Sequence, residues 1–176
     1  MGMIRRTIKY KEANILVSLY KTLVRPHVEY CVSAWSPYYK KDKEMLEKVQ
    51  RRFSKMINNM EGLNYEERLR CLNLWTLEER RNRQDLIEVF KISQGKSVIG
   101  FEDLFVLDKN NKGTRRHNLK LSKARCTRDC WKHFFSNRVV NRWNKLDKQI
   151  VGASSLNAFK NGLDSLRKTQ MGFFMD

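Results

Sequence analysis

The stretch Met45–Ile57, MLEKVQRRFSKMI, constrains this chain more than any other, because a single helix there has to satisfy two opposed demands. Met45, Leu46, Val49, Phe53, Met56 and Ile57 recur at i, i+1, i+4, i+8, i+11 and i+12, a spacing that gathers them into one apolar stripe and requires a core. Lys48, Arg51, Arg52 and Lys55 then project together onto a face roughly opposite. Burying the first set presents four cations side by side. Solvation of an amphipathic helix accounts for cations of this kind in isolation, so their meaning depends on the charge of the remaining chain.

That charge is large and uneven. With 36 Lys plus Arg against 19 Asp plus Glu, the formal net charge is +17. Residues 1–60 hold 13 basic and 5 acidic groups, 61–100 hold 7 and 7, and 101–176 hold 16 and 7, so a neutral middle separates two positive ends. Within Lys109–Lys148 there are 13 basic residues and 2 acidic ones, a net +11 whose self-repulsion a polyanion would relieve. A phosphate backbone is the commonest such partner for a basic chain. An anionic membrane surface is the rival, but no apolar run of the length needed to span a bilayer is present, and MGMIRRTIKYKE has no apolar signal-peptide core. Arg6 occupies the position where N-myristoylation needs Ser or Thr. No membrane partner is therefore expected. Cys31, Cys71, Cys126 and Cys130 are too few and scattered for a disulfide framework, which fits an intracellular setting, nuclear or cytoplasmic.

Periodicity predicts an all-α fold, an irregular bundle of roughly six or seven helices. Ile15, Leu16, Leu19, Tyr20 and Leu23 form a stripe over about 12–25. Pro26 opens a second helix, or kinks the first, and Val28, Cys31, Val32 and Trp35 continue it to Ser36 and Pro37. Asp42 is a plausible N-cap for the central helix. Asn58, Asn59 and Gly62 mark a turn, Asn64 with Glu67 caps a short helix to about Cys71, and Thr76 with Glu79 caps a longer one that Gly95 closes. Arg80, Arg81 and Arg83 on its first turns read as exposed and solvated, offset by nearby carboxylates. The helical period then fades, with one helical turn at Phe101–Phe105 and a short strand or extended arm at Asn118–Lys123. Phe135, Val139, Trp143 and Leu146 restore the stripe, and Ser154 or Ser155 caps a last helix bearing Phe159, Leu163 and Leu166. These boundaries suggest two regions, 1–95 and a basic, partly irregular 96–176.

Chemistry is scarce. His27, His117 and His133 stand in no nucleophile setting, so no catalytic residue is assigned. Cys126, Cys130 and His133 have C-x3-C-x2-H spacing, yet the second half of a zinc site is missing, and neither metal nor cofactor is expected. The basic set Arg115, Arg116, Lys120, Lys123, Arg125, Arg128, Lys132, Arg138 and Arg142 is interleaved with Trp131, Phe134, Phe135 and Trp143. Cations hold phosphates and aromatic faces stack on unpaired bases, a mixture suited to single-stranded or irregular RNA. Phe135 and Trp143 share the helical stripe and belong to the core; Trp131 and Phe134 are open to either role.

The runs LYKTLVRPHVEYCVSAWSPYYKKDKEMLEKVQRRFSKMI, NYEERLRCLNLWTLEERRNRQDLIEVFKI, FFSNRVVNRW and SLNAFKNGLD, in that order, resemble the region after the palm in reverse transcriptases of non-LTR retrotransposons, the jockey-like LINE elements. The resemblance implies a polymerase thumb followed by a basic C-terminal segment, in contact with template RNA and the primer duplex, an RNA/DNA hybrid included. It also implies a missing palm, which a separate polymerase chain would supply as a partner, and a chain that is a fragment or truncated descendant starting at the palm to thumb junction. The family's catalytic Asp-Asp pair has no counterpart here, and two-metal polymerase chemistry needs clustered carboxylates. A non-catalytic nucleic-acid-binding module is the expectation, with Lys48, Arg51, Arg52, Lys55 and the 115–142 cations as its contacts. Two alternatives stand beside it, a decayed open reading frame with no selected function and a helix-turn-helix DNA binder, the latter disfavoured by Glu66 and Glu67 at the start of the second helix.

Overall fold

A computed structural model describes residues 2–108 and 117–175. Among them the fold is all-α, with one isolated antiparallel bridge between Leu107 and Leu121 as the extended exception. The chain packs as two compact units: residues up to Val32 together with Ser36–Arg81, and Ser33–Trp35 together with the residues from Asn82 onward. The charge boundary near Gly95 and this packing boundary are different divisions, since the second falls inside a helix.

The first unit opens with α1 (Gly2–Thr7), anchored by buried Ile4, and α2 (Ala13–Leu19). From α2 the backbone passes through a π-helical turn, Tyr20–Val24, into α3 (Arg25–Glu29) without a break. The wider turn is where Pro26, which lacks an N–H and crowds the carbonyl four residues back, would otherwise interrupt the ladder. The helix expected to run to Ser36 stops at Glu29. Tyr30 turns to extended backbone (ψ 130°) and Cys31 adopts a left-handed φ of 53°, which leaves Cys31 exposed and breaks the proposed Val28–Trp35 stripe. Helix α4 (Lys40–Ser54) starts two residues before Asp42, and Tyr39 takes the N-cap position. Helix α5 (Tyr65–Cys71) begins with the expected box: Asn64 accepts from the Glu67 N–H at 2.9 Å and Glu67 from the Asn64 N–H at 2.8 Å. Ile4, Leu16, Tyr20, Phe53, Ile57, Leu69, Leu72 and Leu74 form the core, with Tyr20 stacked on Phe53 at 4.3 Å.

Helix α6 (Leu77–Ser93) also begins as expected, with Glu79 accepting from the Thr76 N–H at 3.0 Å and Thr76 Oγ1 from the Glu79 N–H at 3.1 Å. Gly95 ends it at φ 64°, where the Lys96 N–H donates to the Lys91 carbonyl at 2.8 Å, a closure that favours a residue without Cβ. The second unit then consists of short helices: α7 (Phe101–Leu104), α8 (Asp129–Lys132), α9 (Phe135–Arg138), α10 (Val140–Asn144) and α11 (Lys148–Val151). The last helix is α12 (Leu156–Thr169), capped by Ser155, whose Oγ accepts from the Ala158 N–H at 3.1 Å. Phe159 stacks on Phe90 at 4.2 Å and lies against Trp143, and Leu163 and Leu166 are buried beside it in the sequence. The extended segment at 117–122 is tied to α10 by side chains. Asn144 both donates to the Leu121 carbonyl and accepts from its N–H, at 2.8 Å each, so its amide does the work of a neighbouring strand; Trp143 Nε1 donates to the Leu119 carbonyl at 2.7 Å.

Candidate nucleic-acid interface

Helix α4 is turned differently from its apolar stripe. Phe53 and Ile57 are buried, but Met45 is 56% exposed and Leu46 and Val49 are only half-buried; Glu47, Gln50 and Ser54 go inward instead. The physical reason is a polar network that the stripe did not reveal. Tyr20 Oη donates to Gln50 Oε1 at 2.7 Å, and Gln50 Nε2 donates to the Trp75 carbonyl at 2.8 Å and to Tyr65 Oη at 3.0 Å. Tyr65 Oη donates to Glu47, whose other oxygen accepts from the Leu77 N–H at 3.0 Å, at the start of α6. A carboxylate there satisfies an orphan donor and meets the positive end of a helix dipole. Burial nonetheless holds the Glu47 carboxyl above its ordinary range, against the pull of these hydrogen bonds and of the Arg81 and Arg51 charges. Burial likewise raises the Tyr20 and Tyr65 phenols, so both remain hydrogen-bond donors.

This inward face fixes the outward one. Lys48, Arg51, Arg52 and Lys55 are all exposed, and among the described residues none of the four is ion-paired. Arg51 lies over the Tyr65 ring at 4.9 Å, which steadies its guanidinium without neutralising it. Other cations of the same unit are engaged. Lys43 reaches Glu78 at 2.7 Å, Arg80 grips Glu29 with two nitrogens, and Arg25 lies 3.7 Å from Glu29. Burial, then the neighbouring charge of Arg80, lowers the Arg25 pKa. Arg68 is buried, donating to Ser54 Oγ at 3.0 Å and to the Leu63 carbonyl. The expectation that Arg80, Arg81 and Arg83 are solvated is corrected. Arg81 is 2% exposed, and Arg80 and Arg83 are largely covered by ion pairs, Arg83 with Asp164 at 3.0 Å within the second unit.

Within the second unit, Lys123, Arg125, Arg128 and Lys132 are exposed, and Lys120 and Arg142 are partly buried. Arg115 and Arg116 lie outside the described residues. Arg138 is withdrawn from the candidate set. Its guanidinium makes a bidentate pair with Asp85, at 2.8 and 2.9 Å, and also donates to the His133 and Ser33 carbonyls, so it has no geometry left for a phosphate. The two open aromatics are resolved towards solvent: Trp131 is 56% and Phe134 43% exposed, paired edge to face at 5.7 Å, while Phe135 and Trp143 are buried as expected. Asn137 holds the α8–α9 turn by donating to the Trp131 carbonyl at 2.9 Å. Two apolar rings thus stand on the surface next in sequence to Arg128 and Lys132, both exposed.

No three His, Cys, Asp or Glu side chains among the described residues come together in a way that could hold a metal ion. His117 is buried and bonds the Trp143 carbonyl through Nε2 at 2.9 Å, away from any ligand role with Cys126, Cys130 and His133. No helix among the described residues is long and apolar enough to cross a membrane. Sequence reasoning also passed over Arg5 and Lys11. They line an open depression together with Arg52 and Lys55, and the i, i+4 pair Ile4 and Ile8 was the available signal that α1 would be anchored there. Compared with protein-family models, with curated proteins and with solved structures, the chain finds no match.

Proposed function

We propose that the chain is a non-catalytic nucleic-acid-binding module that holds RNA, single-stranded or in an RNA/DNA hybrid, through phosphate contacts. The observation that carries the reading is the segregation of cations in the first unit. Lys43, Arg25 and Arg80 are held against carboxylates, whereas Lys48, Arg51 and Arg52 on α4, with Lys55 at its C-cap, are left unpaired together. Like charges at i, i+3 and i, i+4 repel, so leaving them uncompensated costs stability that a bound polyanion returns. Exposed Trp131 and Phe134 give the second unit stacking faces among its own cations, which favours unpaired bases over duplex. The likeness of the sequence to the thumb and C-terminal region of a LINE-type reverse transcriptase supports the same assignment, with a separate palm chain as a further partner and no chemistry of this chain's own.

A helix-turn-helix role fits less well. Helix α5 has seven residues, opens with Glu66 and Glu67, and has Arg68 buried, which leaves little for a major groove to meet.

The test is a titration of single-stranded RNA, structured RNA and duplex DNA across salt. For single strands log affinity falls by about 0.7 per neutralised phosphate, so four contacts from Lys48, Arg51, Arg52 and Lys55 alone give a slope of roughly −3. Arg51→Ala with Arg52→Ala should make it shallower by about 1 to 1.5 and weaken unrelated sequences alike. Binding unchanged at every salt would show this face to be merely solvated.

A further inference from the structure

The depression beside α4 shares Arg52 and Lys55 with the exposed basic face and adds Arg5 and Lys11 to them. It measures about 560 Å³ and is lined by Gly2 and Arg5 of α1, Lys11, Arg52 near the end of α4, and Lys55, Met56, Asn58 and Glu61 beyond it. Its walls come from three stretches of chain that are pinned together. Ile4 of α1 is in the core with Leu16, Phe53 and Ile57, and the Asn58 N–H donates to the Lys11 carbonyl at 3.1 Å. Arg5, Lys11, Arg52 and Lys55 against Glu61 make a net +3, and among the described residues none of the four cations is ion-paired. The end of a helix carries roughly half a negative charge, which two of these cations offset, but four exceed what that requires.

Two kinds of phosphate are available on a nucleic acid. An internal diester bears one charge and two free oxygens, and a row of cations along a helix matches a succession of them. A terminal monoester bears nearly two charges near neutral pH and presents three free oxygens, so it gains most where cations converge from several sides. Lys48 and Arg51 lie outside the depression, whereas Arg5, Lys11, Arg52 and Lys55 line it from three stretches of chain. The volume falls in the range of small-molecule sites, about 300 to 1,000 Å³, larger than a phosphate alone and sufficient for the nucleotide that bears it. Met56 offers an apolar contact and Asn58 an amide. Glu61 repels the phosphate towards the cations and accepts from sugar hydroxyl or base amino groups.

We infer that this depression binds the terminal phosphate monoester of a nucleic-acid strand, seating the end of the strand while α4 tracks its backbone. The inference rests on the proposed function, and one experiment separates their failures. The intact chain is titrated, by fluorescence anisotropy at moderate salt, with single-stranded RNAs of one sequence ending in 5′-hydroxyl, 5′-phosphate or 3′-phosphate. One phosphorylated form should bind about tenfold more tightly than the hydroxyl-ended strand, as expected when an extra charge-assisted contact is gained. Arg5→Ala with Lys11→Ala should abolish that increment, so that the phosphorylated strand binds no more tightly than the hydroxyl-ended strand does to the same variant. The charge-conserving pair Arg5→Lys and Lys11→Arg should restore most of it, and circular dichroism melting confirms that the variants are folded. Equal affinity for all three strands overturns the terminal site and leaves the backbone reading in place. An increment that survives in the alanine pair puts the phosphate elsewhere and overturns it too. If no strand binds, both readings fall together.

Discussion

Helices α4 and α6 each carry several arginines, and they treat the same side chain in opposite ways. On α4, Arg51 and Arg52 stand exposed with Lys48, and exposed Lys55 follows at the C-cap. On α6, Arg80 is clasped by Glu29, Arg81 is buried and Arg83 meets Asp164. Periodicity places all five on helices but does not separate them, because the deciding groups are carboxylates 51 and 81 residues away in sequence. An arginine near a distant carboxylate becomes a strut of the fold. An arginine with none remains available, and availability on a rigid surface is what a phosphate ligand needs.

The largest effect should come from the inward side of α4. Phe53 is 0% exposed and stacked on Tyr20, so Phe53→Ala should cost about 3 to 5 kcal/mol, read as a lowered urea midpoint. An unchanged midpoint would remove α4 from the core and the comparison with it. Next comes the Asp85–Arg138 pair, where Asp85 is 3% and Arg138 14% exposed. Asp85→Ala leaves a covered guanidinium without its counter-charge and should cost about 3 kcal/mol. Arg80→Ala should lose about 1 to 2 kcal/mol, less because both partners of its pair keep some contact with water. If Arg80→Ala were as neutral as Arg52→Ala, the distinction between strut and ligand arginine would fail.

Glu47 sharpens the comparison through pH. Burial makes its carboxyl hold a proton more readily in the folded chain than in the unfolded one, where the ordinary value is 4.5. A raised folded pKa contributes stability that is fully present below the unfolded value and is lost as pH rises through the folded value. The stability of the parent minus that of Glu47→Gln should therefore fall as pH rises above 4.5, measured by urea unfolding at each pH. A difference that rises with pH would mean that the Tyr65 and Leu77 hydrogen bonds outweigh burial.

Much of this fold was legible locally. Asn64 with Glu67, Thr76 with Glu79, Gly95 and the pair Ser154 and Ser155, of which Ser155 is the cap, each announce a helix end because capping is chemistry within a few residues. The exposed α4 face was legible for the same reason. Arg138 was not: no acidic residue lies within four positions of it in the sequence, and only packing brings Asp85 to it. The buried Glu47 and Gln50 escaped because hydrophobic periodicity assigns polar residues outward, whereas their partners Tyr20, Tyr65 and the Leu77 N–H lie on other helices. Val28–Trp35 misled in the other direction, since a good apolar spacing continued past the point where Tyr30 opens the backbone.

The smallest expected effect is the one that separates a used surface from a passive one. Arg52 is four residues from Lys48 and three from Lys55, and each like-charge neighbour on a helix costs about 0.2 to 0.5 kcal/mol at low salt. Arg52 also has no carboxylate partner among the described residues, so Arg52→Ala should slightly stabilise the chain, by about 0.5 kcal/mol, while weakening RNA binding. Arg51→Ala relieves comparable repulsion but gives up the contact over Tyr65, worth about 0.5 to 1 kcal/mol, so its stability should stay near that of the parent. Raising the salt from 50 mM to 500 mM should erase the Arg52 gain and leave the Arg51 balance slightly unfavourable, because screening removes surface repulsion more than a ring contact. Thermal melting of the two single variants at both salts checks this. A loss of stability in Arg52→Ala at low salt would mean that the residue supports the fold, and the α4 row would then resemble the arginines of α6.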